Sequence, residues 1–138
     1  MWSARHNRRW PLAAAVVLAL AVAIGATTAV TLSSSRQSER IASAITGGEP
    51  RRAPAIMRQY GCGGCHTIAG IPGADGQVGP PLSGLINRVY VGGVAFNSPD
   101  NLIQWIVEPR TLSPRTAMPD TGISEAEARD VAAYLYAH

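Results

Sequence analysis

Five consecutive residues, Cys62-Gly63-Gly64-Cys65-His66, constrain this chain more than any other feature. Two thiols three positions apart can each form a thioether to one vinyl group of a single porphyrin, and the adjacent imidazole can then reach the iron. The pattern C-x-x-C-H is therefore typical of covalent haem attachment. We expect one haem c, bound covalently through Cys62 and Cys65.

Other chemistries also use two cysteines at this spacing, and the rest of the chain argues against them. A zinc site needs a second pair of Cys or His ligands, but the chain has only two cysteines. A thioredoxin-like redox pair needs a neighbouring β-α-β pattern, which we do not find. A structural disulfide between positions three apart is uncommon. The motif therefore favours haem.

The charge of the chain is concentrated at its N-terminal end. The 138 residues carry a formal net charge of +3, and every basic residue is an arginine. Residues 1–50 hold the whole excess, because residues 51–138 contain seven arginines and seven acids. The excess positive charge therefore belongs to the N-terminal segment and not to the rest of the chain, which is neutral. We expect no nucleic-acid partner.

An uncharged stretch extends from Trp10 to Ser35. Its most apolar part, residues 11–32, would form a helix that spans roughly the 30 Å hydrocarbon layer of a bilayer. Arginines precede this part, which favours a cytoplasmic N-terminus. We predict a cytoplasmic basic tail at 1–10, a single transmembrane anchor at 11–32 and the remaining chain on the periplasmic side of the inner membrane.

A cleavable signal peptide is the alternative interpretation of this stretch. The run from Leu12 to Leu20 has the length of a signal's apolar region, and Ala21-Val22-Ala23 resembles a cleavage site. However, apolar residues continue to Leu32 without a polar break, which favours retention as an anchor. Both interpretations export the rest of the chain.

A polar segment, residues 33–50, separates the anchor from a predicted haem domain at 51–138. This linker contains Gly47-Gly48 and Pro50, and two forms are open for it. Its first part could extend the membrane helix, or the whole segment could be a flexible coil.

The pattern within residues 51–138 predicts an all-α domain with three or four helices and long loops. One short helix would contain Pro54 and end at Gly61, a second would begin after the cap Ser98, and a third would begin at Ser124. Glycine and proline are frequent in residues 67–84, which predicts a loop. No convincing alternating strand is present. Val89-Tyr90-Val91, followed by Gly92-Gly93, could pair briefly, but we expect an extended loop there.

If His66 binds one face of the iron, a second axial ligand is needed on the other face. His6 would lie across the membrane and Met1 is the initiator. His138 is the last residue, and Met57 lies too close to the motif to reach the opposite face. Met118 remains, in a loop with prolines on both sides. His/Met ligation raises the reduction potential and leaves no open iron position, which suits electron transfer without a small-molecule substrate.

Together these residues resemble the class I cytochrome c family. The segments that carry the resemblance are Cys62–His66, Gly79–Gly84, Arg88, Trp105–Pro109, Pro114–Pro119 and Ala133–Leu135. The resemblance covers about residues 51–138 and is greatest to the membrane-anchored bacterial members associated with aerobic terminal oxidases.

The resemblance implies roles for residues around the haem. The Pro80 carbonyl would accept a hydrogen bond from the His66 ring, and Leu82 would pack on the macrocycle. Two polar residues would lie near the haem propionates and one indole beside the Met118 face: Arg88, Thr116 and Trp105.

The expected function is that of a tethered electron carrier between a quinol-oxidising complex and a terminal oxidase. A fixed haem c subunit of an oxidase or dehydrogenase complex is the alternative. An enzyme or gas sensor would need a labile sixth ligand, so we expect no catalytic activity of the domain itself.

Overall fold

The computed structural model describes residues 9–138, and it forms two units that divide between Arg36 and Gln37. A first helix, α1, extends from Arg9 to Thr46 and so contributes to both. Residues 1–8 of the predicted cytoplasmic tail lie outside the described part.

In the first unit, α1 is apolar and its side chains are exposed. The hydroxyl groups of this segment donate to carbonyls three or four positions earlier, as Thr28 does to Ile24 at 2.9 Å. Such back-bonding leaves few polar groups in need of water, which is what a lipid environment requires. Among the described residues, this one helix is long and apolar enough to cross a membrane, a property that a signal sequence shares.

The second unit begins within the predicted linker. The helix continues through Thr46, and the side chains of Ala42 and Thr46 are buried. The backbone N–H of Glu49 then donates to the buried carboxylate of Asp130 at 2.7 Å. Of the two forms open for residues 33–50, the structure therefore has the helical one, and the end of the segment is fixed to the last helix.

Four more helices lie in the second unit, and they confirm the all-α prediction. Ser98 caps one of them by accepting from the Asn101 N–H at 3.2 Å, and Ser124 and Glu127 form the predicted capping box of the last. Pro109 ends the capped helix and begins a further short one. The bounds are Ala53–Gln59 (α2), Pro99–Val107 (α3), Pro109–Leu112 (α4) and Glu125–Ala137 (α5), with 3-10 turns at Pro50–Arg52, Cys62–Gly64 and Leu85–Asn87.

A small antiparallel hairpin corrects one prediction. Strand β1, Tyr90–Val91, pairs with β2, Ala95–Phe96, where an extended loop was expected. Gly92 and Gly93 both have positive φ, so the chain can reverse tightly between the strands. The rings of Tyr90 and Phe96 stack across the pair with centroids 5.2 Å apart.

The core of the second unit is built around α5. Residues 130–136 of this helix are all buried, so it is covered on nearly every side. It packs against α2, α3 and the turn at Pro50–Arg52. Its alanines at 128, 132 and 133 are fully buried, and their small size permits this close packing.

Candidate haem-attachment site

The C-x-x-C-H motif lies on a single tight turn directly after α2. Gly61 has a φ of 71° and follows the end of that helix. A 3-10 turn over Cys62–Gly64 then leads to Cys65, three positions after Cys62. Side chains at this spacing lie on the same side of a 3-10 turn. Both thiols are free and half-buried, and burial raises the pKa of the Cys62 thiol.

A loop, residues 74–82, is bound along the motif by backbone hydrogen bonds. Gly76 donates to the Gly63 carbonyl at 3.1 Å and Gly79 to the Cys65 carbonyl at 2.8 Å. A Cβ atom at Gly76 would lie 2.5 Å from the Gly64 oxygen, so the two backbones approach too closely for any side chain there. The loop therefore fixes the shape of the motif.

The same loop orients the imidazole of His66. The ring lies against Gly79, where a Cβ atom would overlap it. Its Nδ1 is 2.8 Å from the Pro80 carbonyl oxygen. A carbonyl can only accept, so Nδ1 carries the hydrogen and Nε2 keeps its lone pair for a metal. The contact is the one that the family resemblance implied for Pro80.

Two further predicted residues lie on the loop side of the site. Leu82 is half-buried and packs against the core, and its N–H donates to the Thr67 carbonyl at 2.9 Å. The guanidinium of Arg88 donates to the carbonyls of Pro81 and Ser83. Arg88 therefore supports the loop that carries the acceptor of His66.

Met118 and Thr116 lie in the loop between α4 and α5. The Thr116 hydroxyl accepts from the Met118 N–H at 3.1 Å, and both side chains are half-buried. Trp105 on α3 is also half-buried, and its ring lies on the hairpin at Gly92, where a Cβ atom would overlap the ring.

The terminal residue, His138, is packed against the domain, although we expected it to be poorly ordered. His138 was excluded as a ligand because chain ends are often poorly ordered, but its ring stacks on Tyr134 with centroids 4.1 Å apart. Its main-chain oxygen also accepts from the Gly84 N–H at 3.3 Å.

Sequence reasoning missed several contacts in this unit. Gly79 was noted only as part of a motif, although the glycine directly before Pro80 could have indicated close packing against the ring. Asn97 and Tyr136 lie far from the motif in sequence and are joined by a 2.8 Å hydrogen bond. No pattern in the sequence predicts that contact.

The residues present fit a covalently bound haem. Cys62 and Cys65 are free thiols on one side of a turn, and the Nε2 of His66 is available as a ligand. A thioether, Met118, is held half-exposed in a separate loop. This donor set is that of a c-type haem centre.

A small helical domain with this motif and this histidine geometry belongs to the class of c-type haem domains. The family model for cytochrome c matches residues 50–137, and the chain belongs to the cytochrome c family. Family members are electron carriers and not enzymes, and their domain implies haem c as the cofactor.

The chain is also similar to a longer respiratory protein. It is 30% identical over 81 residues to cytochrome c oxidase subunit 2 of Alkalihalophilus pseudofirmus. The match covers 58% of this chain and 23% of that protein, so the chain spans about a quarter of its relative. No solved structure matches the chain.

Proposed function

We propose that this protein is a membrane-tethered monohaem cytochrome c. It carries single electrons from a quinol-oxidising complex to a terminal oxidase. Cys62 and Cys65 hold the haem, and His66 and Met118 are its axial ligands.

The observation that carries the proposal is the orientation of His66. The 2.8 Å contact between Nδ1 and the Pro80 carbonyl leaves Nε2 free, and it raises the basicity of the ring as a ligand. The haem, when bound, supplies a one-electron couple of its iron. Ligation by the Met118 thioether would favour the reduced form and leave no open iron position, which suits transfer of electrons alone.

The remaining predicted residues have supporting parts in this proposal. Leu82, which packs against the core, would contact the haem, while Arg88 and Thr116 would bind near its propionates. Trp105, whose ring packs on the hairpin at Gly92, would lie beside the haem on the side of Met118.

We also propose that residues 11–32 anchor the protein in the inner membrane, with residues 1–10 in the cytoplasm. The support is the length and apolarity of α1 and the arginines that precede the apolar run. Residues 33–50 then lead to the haem domain, 51–138, on the periplasmic side, where haem attachment to exported cytochromes takes place.

Matched methionine variants test the ligand set. The protein is expressed with a cytochrome c maturation system, and covalent haem is measured in denatured protein. Met118→Leu should keep the haem but lose the weak far-red band of methionine-bound ferric haem, and it should bind added imidazole. Met57→Leu, at a methionine that is 1% exposed in the core, is the control and should keep the band. A band that persists in Met118→Leu would contradict the proposal.

A second candidate function is a fixed haem c subunit of an oxidase complex. The similarity to cytochrome c oxidase subunit 2 favours it, and so does the docking of residues 37–50, because this segment is not a free tether. Purification from native membranes in mild detergent separates the two functions. A complex with oxidase subunits that survives high salt supports the fixed subunit, whereas release of the cytochrome alone supports the carrier.

A further inference from the structure

A hydrogen-bond network connects the last helix to the loop beside the haem motif. The Tyr136 hydroxyl donates to the Asn97 side-chain oxygen at 2.8 Å. The amide nitrogen of Asn97 donates in turn to the carbonyls of Leu85 at 2.7 Å and Arg88 at 2.9 Å. One amide therefore uses its acceptor and both its donors to join α5 to residues 85–88.

The network continues from Arg88 to the axial histidine. The Arg88 guanidinium donates to the Pro81 carbonyl and, at 3.3 Å, to the Ser83 carbonyl. The neighbouring carbonyl, that of Pro80, accepts from the His66 ring. The backbone of residue 88 is thus held from one side by Asn97, while its side chain holds the loop that orients His66.

We propose that Asn97 and Tyr136 are positioning residues that set the strength of the His66–Pro80 hydrogen bond and thereby the reduction potential of the haem. The inference rests on the proposed ligation of iron by His66. Neither residue touches the motif, and both act through the loop at 80–88.

Burial makes the network effective. Tyr136 is 6% exposed, and Asn97 is half-buried, so water does not readily replace their bonds. Burial also raises the pKa of Tyr136 to about 12, so the hydroxyl remains a donor at neutral pH.

The direction of the effect follows from the chemistry of the imidazole. An acceptor on Nδ1 makes the ring a more basic ligand, and a more basic ligand stabilises the ferric state. If the loop loosens, the acceptor moves away, the ring becomes a weaker donor and the ferrous state is favoured. Loss of Asn97 or Tyr136 contacts therefore raises the reduction potential.

Conservative variants of the full-length holoprotein test the proposal. Tyr136→Phe removes one hydrogen bond and keeps the ring, and Asn97→Leu removes the acceptor and both amide donors without adding a charge. Tyr134→Phe is the control, because Tyr134 is equally buried on α5 and donates to Ala69 at 2.7 Å, outside residues 80–88. The potentials are measured by redox titration.

We expect Tyr136→Phe to shift the oxidation–reduction equilibrium about threefold toward the ferrous state, with a larger shift in Asn97→Leu, which loses three hydrogen bonds. A tenfold shift would be about 59 mV for one electron. The exchange of the His66 Nδ1 proton with solvent should accelerate in both, and neither quantity should change in Tyr134→Phe. Equal potentials and exchange rates in Tyr136→Phe and Tyr134→Phe would overturn the proposal.

The outcome also separates this inference from the proposed function. If the unsubstituted protein lacks covalent haem or the far-red methionine band, the function proposal fails. If both are present in every variant and the potential does not move, only the positioning role fails.

Discussion

The two loops that would face the iron are held very differently. The loop beside His66 is fixed by backbone bonds to the motif, by a bond from the ring to Pro80 and by the guanidinium of Arg88. In the part of the chain that the structure describes, the loop with Met118 has hydrogen bonds only between residues two or three positions apart. The Thr116 N–H donates to the Ser113 carbonyl at 3.0 Å, the Met118 N–H to the Thr116 hydroxyl at 3.1 Å and the Gly122 N–H to the Asp120 carboxylate at 3.0 Å. The difference indicates that the protein builds the histidine side in advance, whereas the methionine side depends more on the haem.

The largest expected effect comes from filling the space behind the His66 ring. In Gly79→Ala the new Cβ would overlap the imidazole, and the hydrogen bond from the N–H of residue 79 to the Cys65 carbonyl restrains the backbone there. Overpacking of this kind costs about 1–3 kcal/mol, so the fitted ring orientation should become roughly tenfold less populated or worse. Covalent haem per protein, measured by haem staining after denaturing electrophoresis, should fall accordingly.

Gly64→Ala is the matched control for that variant. Gly64 belongs to the motif itself, yet a Cβ atom there would meet nothing within 4 Å. It should therefore attach haem at the normal level. Equal haem content in the two alanine variants would show that the histidine side is not rigidly built.

A smaller effect is expected on the methionine side. Thr116→Ala removes the bond to the Met118 N–H, a loss of about 1 kcal/mol. Because the other hydrogen bonds of this loop are also local, imidazole should compete for the iron about fivefold better, as judged by its binding midpoint followed in the far-red band. Thr111→Ala is the control, since the Thr111 hydroxyl donates to the exposed Glu108 side chain at 3.3 Å and not to the Met118 loop. No change in Thr116→Ala would remove the contrast between the loops.

Much of this arrangement could be predicted from sequence where its cause is local. The caps at Ser98 and Ser124 depend on only a few neighbouring residues, and α3 and α5 begin where those caps predict. The thiols and the first histidine follow from one pentapeptide. The hairpin was missed because each strand has only two residues, too few to show alternation.

The parts that could not be predicted depend on contacts between distant segments. The bond between Asn97 and Tyr136 joins residues 39 positions apart, and Asp130 holds Glu49 across 81 positions. Each residue alone resembles an ordinary polar or aromatic residue, and only the packing of α5 brings it to its partner. For the same reason, the sequence could not show whether the linker packs against α5 or forms a flexible coil.

Alkaline pH should destabilise the folded protein by ionising the buried Tyr136 of α5. Burial raises the pKa of Tyr136 from 10.0 to about 12 and also raises the pKa of Tyr134. A raised pKa in the folded state means that the neutral hydroxyl contributes stability below about pH 10, and that this stability is lost as pH rises toward 12. The unfolding temperature of the unsubstituted protein should therefore fall over this interval.

Tyr136→Phe gives the matched comparison for that titration. The variant has no hydroxyl to ionise at this position, so its unfolding temperature should fall less steeply between pH 10 and 12 than that of the unsubstituted protein. At neutral pH the variant should be the less stable of the two, because it lacks the bond to Asn97. Identical pH profiles would show that ionisation of the Tyr136 hydroxyl does not affect the stability of the protein.

The smallest effect concerns charge on the two sides. The methionine loop carries Arg115 and Asp120, whose charges cancel, and the loop at 74–82 carries only Asp75. A partner that docks on either side meets almost no net charge, so electron-exchange rates should change by less than about tenfold between low and high salt, the lower limit of electrostatic steering. Stopped-flow measurements with Arg115→Gln and Asp75→Asn locate the contact, because only the variant beneath the partner should acquire a salt dependence. A steep dependence in the unsubstituted protein would contradict docking on these neutral surfaces.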